Sequence, residues 1–107
     1  MIMTHVFELY GLKAGVSIQD YRRFSLSVDQ PAVLSQPGVR SFKVYEITGS
    51  EKGKLPYQIL EHVEVESWES WQKALSNDEF KKKVDDAARK VIDTSTVLTV
   101  YGEELSG

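Results

Sequence analysis

The sequence predicts an α+β fold in which strands and helical regions follow the order β-α-β-β-α-β. Four short segments mix β-branched, aromatic and polar residues, as strands do. Two longer segments repeat apolar residues at helical spacing, and each begins after a serine that can cap it. The 107 residues are therefore expected to form a single domain, residues 1–107.

The first half is predicted to contain a strand over Thr4–Leu12 and then a helix capped by Ser17. Asp20 stands three residues after this serine and completes a capping box. Pro31 is predicted to kink or break the helix near Gln30, because proline lacks an N–H and disfavours helical backbone before it.

After a second short helical piece, Val39–Thr48 is predicted as the second strand, and a polar loop leads to the third strand at residues 57–67. Ser67 is predicted to cap the second helical region, and Ser76 with Glu79 offers another capping box within it. Residues 94–102 complete the sheet as the fourth strand. Right-handed crossovers then give the strand order 4-1-3-2, the ferredoxin-like arrangement with both helical regions on one face.

Alternate residues in these strands are apolar on both sides, although helices can cover only one face of the sheet. The first strand, for example, places His5, Phe7 and Leu9 on one side and Val6, Glu8 and Tyr10 on the other. A second subunit would cover the remaining face, so we expect a homodimer with two-fold symmetry.

Composition excludes several classes of function. There are no cysteines, which excludes disulfides, zinc–thiolate sites and cysteine nucleophiles. A net charge of −3 argues against a nucleic-acid partner. The sequence shows no leader pattern and no apolar run of membrane-spanning length, so we expect a cytoplasmic protein without a membrane partner.

Glu61 and His62 stand side by side in the third strand and must face opposite sides of the sheet. Glu61 shares its side with apolar neighbours, and burial there would raise its pKa toward the range of a general acid or base. His62 faces the other side, roughly level with Glu8 of the first strand, with which it could pair. Asp29 either looks into a cleft beside the helix break or caps the segment that begins at Pro31.

Three stretches resemble the RedY-like family of the dimeric α+β barrel superfamily. They are "THVFELYGLKAGVSIQDYRRF", "VDQPAVLSQPGVRSFKVYEI" and "ILEHVEVESWESWQKAL". The resemblance implies a small dimer with no metal or organic cofactor, which holds or converts a bipyrrole or other aromatic intermediate of prodigiosin-type pigment biosynthesis. It also implies a ligand cleft between the sheet and the helices of each subunit.

For such a cleft we predict acid–base assistance by two carboxylates and contacts from aromatic and polar side chains. The predicted catalytic residues are Glu61 and Asp29, and the predicted ligand-binding residues are His5, Tyr10, Tyr21, Gln30, Phe42 and His62. No metal site is predicted, because "EHVE" lacks ligand spacing and a site would need His5 and His62 to converge on one face. Two alternatives stay open, a dimer that only holds an aromatic intermediate and a haem- or quinone-handling monooxygenase of the same superfamily.

Overall fold

A computed structural model, which describes residues 2–106, contains one antiparallel sheet of four strands. The strands are β1 (Thr4–Leu12), β2 (Val39–Glu46), β3 (Ile59–Val65) and β4 (Ile92–Gly102). Their order across the sheet is β2-β3-β1-β4, which confirms the predicted arrangement and the ferredoxin-like fold. In the described residues, no helix is long and apolar enough to cross a membrane.

Helical segments follow β1 and β3. They are α1 (Ile18–Phe24), a π-helical segment (Ser25–Asp29, hereafter the π segment), α2 (Gln30–Leu34), α3 (Trp68–Ser76) and α4 (Asp78–Val91). Apolar side chains of these helices pack on one face of the sheet and form the core with the inward residues of β1 and β3. The fully buried strand residues are Val6, Tyr10, Ile59, Val63 and Val65.

Two of the three predicted caps are present. Ser17 and Asp20 form the capping box of α1, and Ser67 accepts a hydrogen bond from the backbone N–H of Ser70 at 3.0 Å. The predicted box at Ser76 is wrong. Ser76 is still the last residue of α3, whereas Asn77 has extended backbone and caps α4 through its side chain.

Pro31 does not break the helix, because the backbone stays helical from α1 through the π segment into α2, although the regular α-helix ends at Phe24 and the predicted second helical piece is present as α2. Gln30 keeps helical dihedrals (φ −60°, ψ −48°), and its N–H reaches back five residues to the carbonyl of Ser25. Pro31 lies in the first turn of α2, where a missing N–H is tolerated. The Asp29 side chain makes no capping hydrogen bond.

Pairing between β1 and β3 places Glu8 opposite Glu61 and Phe7 opposite His62. Paired residues of antiparallel strands point to the same side of the sheet. Glu8 and Glu61 therefore share the helix-covered face, whereas His62 lies on the other side. The prediction that Glu8 stands level with His62 is wrong by one residue.

The side of the sheet without helices is called the open face here. It presents, by register, His5, Phe7, Leu9, Ser41, Lys43, Tyr45, Leu60, His62, Glu64, Leu98 and Val100. Among these, Tyr45 and Val100 are each 48% exposed and Leu98 is 44% exposed. The face is therefore apolar around Leu9 and Leu60, and its polar side chains lie toward the opposite end of the strands, around His5 and Glu64.

Gly11 lies at an irregularity in the pairing of β1 with β4, and replacement by alanine is expected to destabilise the fold. A Cβ atom there would stand 2.5 Å from the Pro56 carbonyl oxygen, so backbone must move. We expect Gly11→Ala to lower the free energy of unfolding by about 1–3 kcal/mol, as overpacking does. Urea denaturation measures this, with Gly49→Ala as control because its Cβ would meet nothing within 4 Å. Equal unfolding midpoints for the two variants would contradict the expectation.

Candidate functional site

A narrow cleft of about 170 Å³ lies between the first helical region and the β2 side of the sheet. Its wall includes the polar side chains of Tyr21, Ser25 and Gln30, together with apolar contacts from Val44 and Ile59. A larger hollow of about 420 Å³ lies within the β2–β3 loop, residues 47–58, and is lined by no buried side chain, whereas the cleft is lined by the buried Tyr21 and Ser25. The cleft is therefore the better candidate for chemistry.

The π segment determines which side chains meet the cleft. Ser25 and Asp29, its first and last residues, are both buried polar residues. A π-helical turn holds one residue more than an α-helical turn, and such turns are frequent at functional sites. Here it directs two polar side chains inward from a helix that otherwise presents apolar residues to the core.

A chain of hydrogen bonds leads from the cleft into the protein. Gln30 donates through Nε2 to the Ser25 hydroxyl at 3.0 Å, and Ser25 lies close enough to the Tyr21 hydroxyl to lower its pKa. The hydroxyls of Tyr21 and Tyr10 lie 2.6 Å apart. Tyr10 donates to Glu61 Oε2, and the Tyr21 hydroxyl lies 3.4 Å from the same oxygen. Glu61 itself does not line the cleft, so the tyrosines connect it to the cleft wall.

Three carboxyl groups meet at the inner end of this chain. Glu8 lies opposite Glu61 across the strands, and Asp29 of the π segment lies close enough to Glu61 for each group to shift the pKa of the other. Glu61 and Asp29 are each only 7% exposed. Within residues 2–106 none of the three has an ion-pair partner. Like charges this close, without a cation, cannot all be ionised at low cost.

Burial is the main reason that these groups hold their protons. It raises the pKa of Glu61 well above its ordinary value, and the neighbouring charges of Asp29 and Glu8 raise it further. Burial, and then the charge of Asp29, raises the pKa of Glu8 to about 7. Burial likewise raises the pKa of Asp29 to about 6. The Glu61–Asp29 pair therefore holds a shared proton to a higher pH than an isolated carboxyl group would.

Burial also raises the pKa of both phenols, first through desolvation and then through the charge of Glu61. Tyr10 and Tyr21 are neutral at physiological pH. Each hydroxyl can donate and accept a hydrogen bond within the chain, but neither is a phenolate that could act as a base.

Five predicted site residues thus occupy one connected cluster: Glu61, Asp29, Tyr10, Tyr21 and Gln30. Phe42 faces the same side of the sheet from β2 and packs against the core, outside the hydrogen-bond chain. His5 and His62 lie on the open face and contact each other, with Phe7 stacked on His62. A ligand held in the cleft cannot touch either histidine.

Sequence reasoning missed the parts played by Glu8 and Ser25. Glu8 lies in the same alternating row as Val6 and Tyr10, so the predicted strand order could have placed it beside Glu61. Ser25 interrupts the apolar stripe of the first helix, which was the one signal that it serves a buried polar site.

The family of the chain follows from comparison of its sequence with family models. The model described as "REDY-like protein HapK" matches residues 4–104, almost the whole chain. The chain belongs to the HapK family. No curated protein matches it.

Solved structures show the fold of this HapK-family chain in several other proteins. HapK from Hahella chejuensis is 16% identical, with a TM-score of 0.78 over 97% of this chain and 94% of its own. An ethyl tert-butyl ether d (EthD) family protein from Bacillus halodurans is 25% identical, with a TM-score of 0.73 over 97% and 100%. A dimeric protein of unknown function from Bacteroides fragilis is 13% identical, with a TM-score of 0.67 over 95% and 96%.

Proposed function

We propose that this HapK-family protein binds a small planar aromatic intermediate, such as a bipyrrole of prodigiosin-type pigment biosynthesis, and assists its conversion by acid–base catalysis without a cofactor. The observation that carries this proposal is the hydrogen-bond chain that leads from the Tyr21 hydroxyl in the cleft wall through Tyr10 to the buried Glu61, beside which Asp29 lies. A proton can enter or leave the carboxyl pair through this chain while the ligand stays in the cleft.

The chemistry of the cleft suits a nitrogen heteroaromatic ring. Its apolar wall can pack on a flat ring, and the Ser25 hydroxyl and the Gln30 amide can meet a pyrrole N–H. Its volume of about 170 Å³ is below the roughly 300–1,000 Å³ of many ligand pockets. We therefore expect one small ring system to enter, while the remainder of a longer ligand stays at the mouth.

The role of each group follows from its protonation state at neutral pH. Asp29, with a pKa of about 6, is mostly ionised and can accept a proton. Glu61 keeps its proton and shares it with Asp29, and Tyr10 and Tyr21 extend this pair toward the ligand. Asp29 and Glu61 act as one unit in this proposal, so loss of either removes the acid–base function.

A binding protein without catalysis is the second candidate, because Glu61 lies behind Tyr21 and does not reach the cleft surface. The haem alternative has less support. A haem in this cleft would find no histidine ligand, since both histidines of the chain lie on the open face.

The test uses a bipyrrole carbaldehyde as probe. Binding is measured by the change in probe absorbance, and catalysis by exchange of its ring-carbon hydrogen with D₂O, followed by NMR. We expect Glu61→Gln and Asp29→Asn to slow exchange by about 100-fold or more while probe affinity stays within a few fold. The matched control is Glu64→Gln, on the opposite side of the same strand, which should leave exchange unchanged.

Other results would decide against parts of the proposal. Binding without accelerated exchange in the native protein would favour the binding-only candidate. Exchange that is unaffected in both Glu61→Gln and Asp29→Asn would show that the site assignment is wrong. Absence of probe binding would rule out a bipyrrole as the ligand class.

We also propose that the open face is covered by a second copy of the chain in a two-fold homodimer. Its support is the apolar part of the face, where Leu98 and Val100 of β4 are about half exposed in a single subunit. The Bacteroides fragilis protein of the same fold is dimeric, as its description states. Such a dimer would bury apolar side chains that helices leave uncovered.

A further inference from the structure

The only two histidines of the chain meet on the open face, although 57 positions separate them in sequence. His5 lies on β1 opposite Glu64, and His62 lies on β3 opposite Phe7, so the imidazoles approach each other diagonally across the strands. Nδ1 of His5 stands 2.8 Å from Nε2 of His62. The two nitrogen atoms are therefore close enough to be bound by one ion.

We propose that this pair is a chelating site for a divalent transition metal ion, with Cu²⁺ or Ni²⁺ preferred over Zn²⁺. Imidazole nitrogen is a common ligand of all three ions, at about 2.0–2.1 Å from the metal. Two such nitrogens in adjacent corners of a square-planar site lie roughly 2.9 Å apart, whereas in a tetrahedral site they lie roughly 3.4 Å apart. The observed 2.8 Å matches the square-planar arrangement.

The charges around the pair favour a cation. Glu64 lies directly opposite His5, and Glu103 and Glu104 line the same hollow as the two histidines. Lys43, opposite His62 on β2, is the basic side chain on this part of the face. Two carboxylates that line the hollow and one opposite His5 thus outnumber the single ammonium group nearby, which raises the local concentration of a divalent ion.

The remaining coordination positions are open to other ligands. The hollow has a volume of about 260 Å³, which leaves room for water molecules beside the imidazoles. Among residues 2–106, no set of three His, Asp or Glu side chains is close enough to hold a metal ion. One chain thus supplies two nitrogen ligands, and water or a second copy of the chain would supply the rest.

A hydrogen bond between two neutral imidazoles spans the same distance, and metal titration separates the two arrangements. The site is on the opposite side of the sheet from Glu61, so its test is independent of the proposed acid–base function. The metal titration needs neither a bipyrrole ligand nor catalytic activity.

The experiment begins with protein stripped by EDTA and titrated by calorimetry with CuSO₄, NiCl₂ and ZnCl₂ separately. We expect one Cu²⁺ per chain, tighter than Zn²⁺, and an EPR spectrum of the native protein with coupling to two imidazole nitrogens. His5→Gln and His62→Gln should each weaken Cu²⁺ binding by about 100-fold. Lys43→Gln is the control, because it changes the charge beside His62 and keeps both ligands, so binding should be equal or tighter.

Several outcomes would overturn the proposal. Stoichiometric Cu²⁺ binding that survives His62→Gln would show that the pair is not the site. An EPR spectrum with a single nitrogen, or no calorimetric binding of any of the three ions, would leave only the hydrogen-bonded imidazole pair. The EPR measurement on native protein decides the matter even if a histidine variant fails to fold.

Discussion

Replacement of Glu8 by glutamine is expected to raise the free energy of unfolding above pH 7 by up to about 3 kcal/mol. Burial and the charge of Asp29 raise the Glu8 pKa from 4.5 to about 7. A shift of that size corresponds to roughly 3 kcal/mol between the two protonation states, at about 1.4 kcal/mol per pKa unit. Glutamine has nearly the same volume and carries no charge, so the variant avoids the cost of ionisation.

The sign of the pH dependence follows from the direction of this shift. Below pH 4.5 the Glu8 carboxyl is protonated in both the folded and the unfolded chain, and it contributes no penalty. Between pH 4.5 and 7 the unfolded chain loses the proton first, so stability falls as pH rises and then levels off. The pKa values of Asp29 and Glu61 are also raised, so their ionisation adds to the same loss of stability as pH rises.

Urea denaturation of the native protein and of Glu8→Gln at pH 5 and pH 8 measures this effect. We expect the variant to gain less than about 1 kcal/mol at pH 5 and up to about 3 kcal/mol at pH 8. Glu51→Gln, in the exposed β2–β3 loop, is the control and should follow the native protein at both pH values. Parallel pH curves for native protein and Glu8→Gln would show that Glu8 is not a strained buried acid.

Replacement of Leu98 by glutamate is expected to convert the proposed dimer into a monomer. Leu98 lies on the open face opposite Leu9, and it is 44% exposed in a single subunit. A carboxylate in an apolar interface costs roughly 2 kcal/mol or more of binding free energy, and two-fold symmetry places two such carboxylates in the dimer. The dissociation constant should therefore rise by about 1,000-fold or more.

Val97 provides a matched control for this experiment. It is the neighbouring residue of β4 and is 43% exposed, but strand alternation turns it to the opposite side of the sheet. Val97→Glu should keep the native mass in analytical ultracentrifugation, whereas Leu98→Glu should sediment as a single chain. A native protein that is monomeric at micromolar concentration would remove the basis for a covered open face.

Much of the fold could be predicted because local signals and the global arrangement agree. The serine caps at Ser17 and Ser67 and the alternating strands define both β-α-β halves, and the handedness of the crossovers gives the strand order. Pro31 suggested an interruption of the helix that the structure does not show in full. The effect of a proline depends on how the backbone before it is hydrogen bonded. The π-helical turn that accommodates this proline leaves no simple periodic signal.

The candidate site was predictable in part, for a similar reason. Alternation separates Glu61 from His62 and groups Tyr10 with Glu8 without telling which side of the sheet holds the cleft, and helical spacing brings Tyr21 and Asp29 toward the sheet. The exact pairing of Glu8 with Glu61 depends on register, which turn geometry determines and which a shift of one residue would reverse. The convergence of His5 and His62 depends on the same register.

The π segment also has a bearing on how the site could arise or be lost. A π turn is equivalent to one residue inserted into a regular α-helix, and each residue turns the helix by about 100°. Deletion of a single residue between Ser25 and Asp29 would let the helix run regularly into α2 and would rotate one side of the cleft relative to the other. The loss of one codon would thus change a helix that directs Ser25 and Asp29 inward into a helix that only covers the sheet.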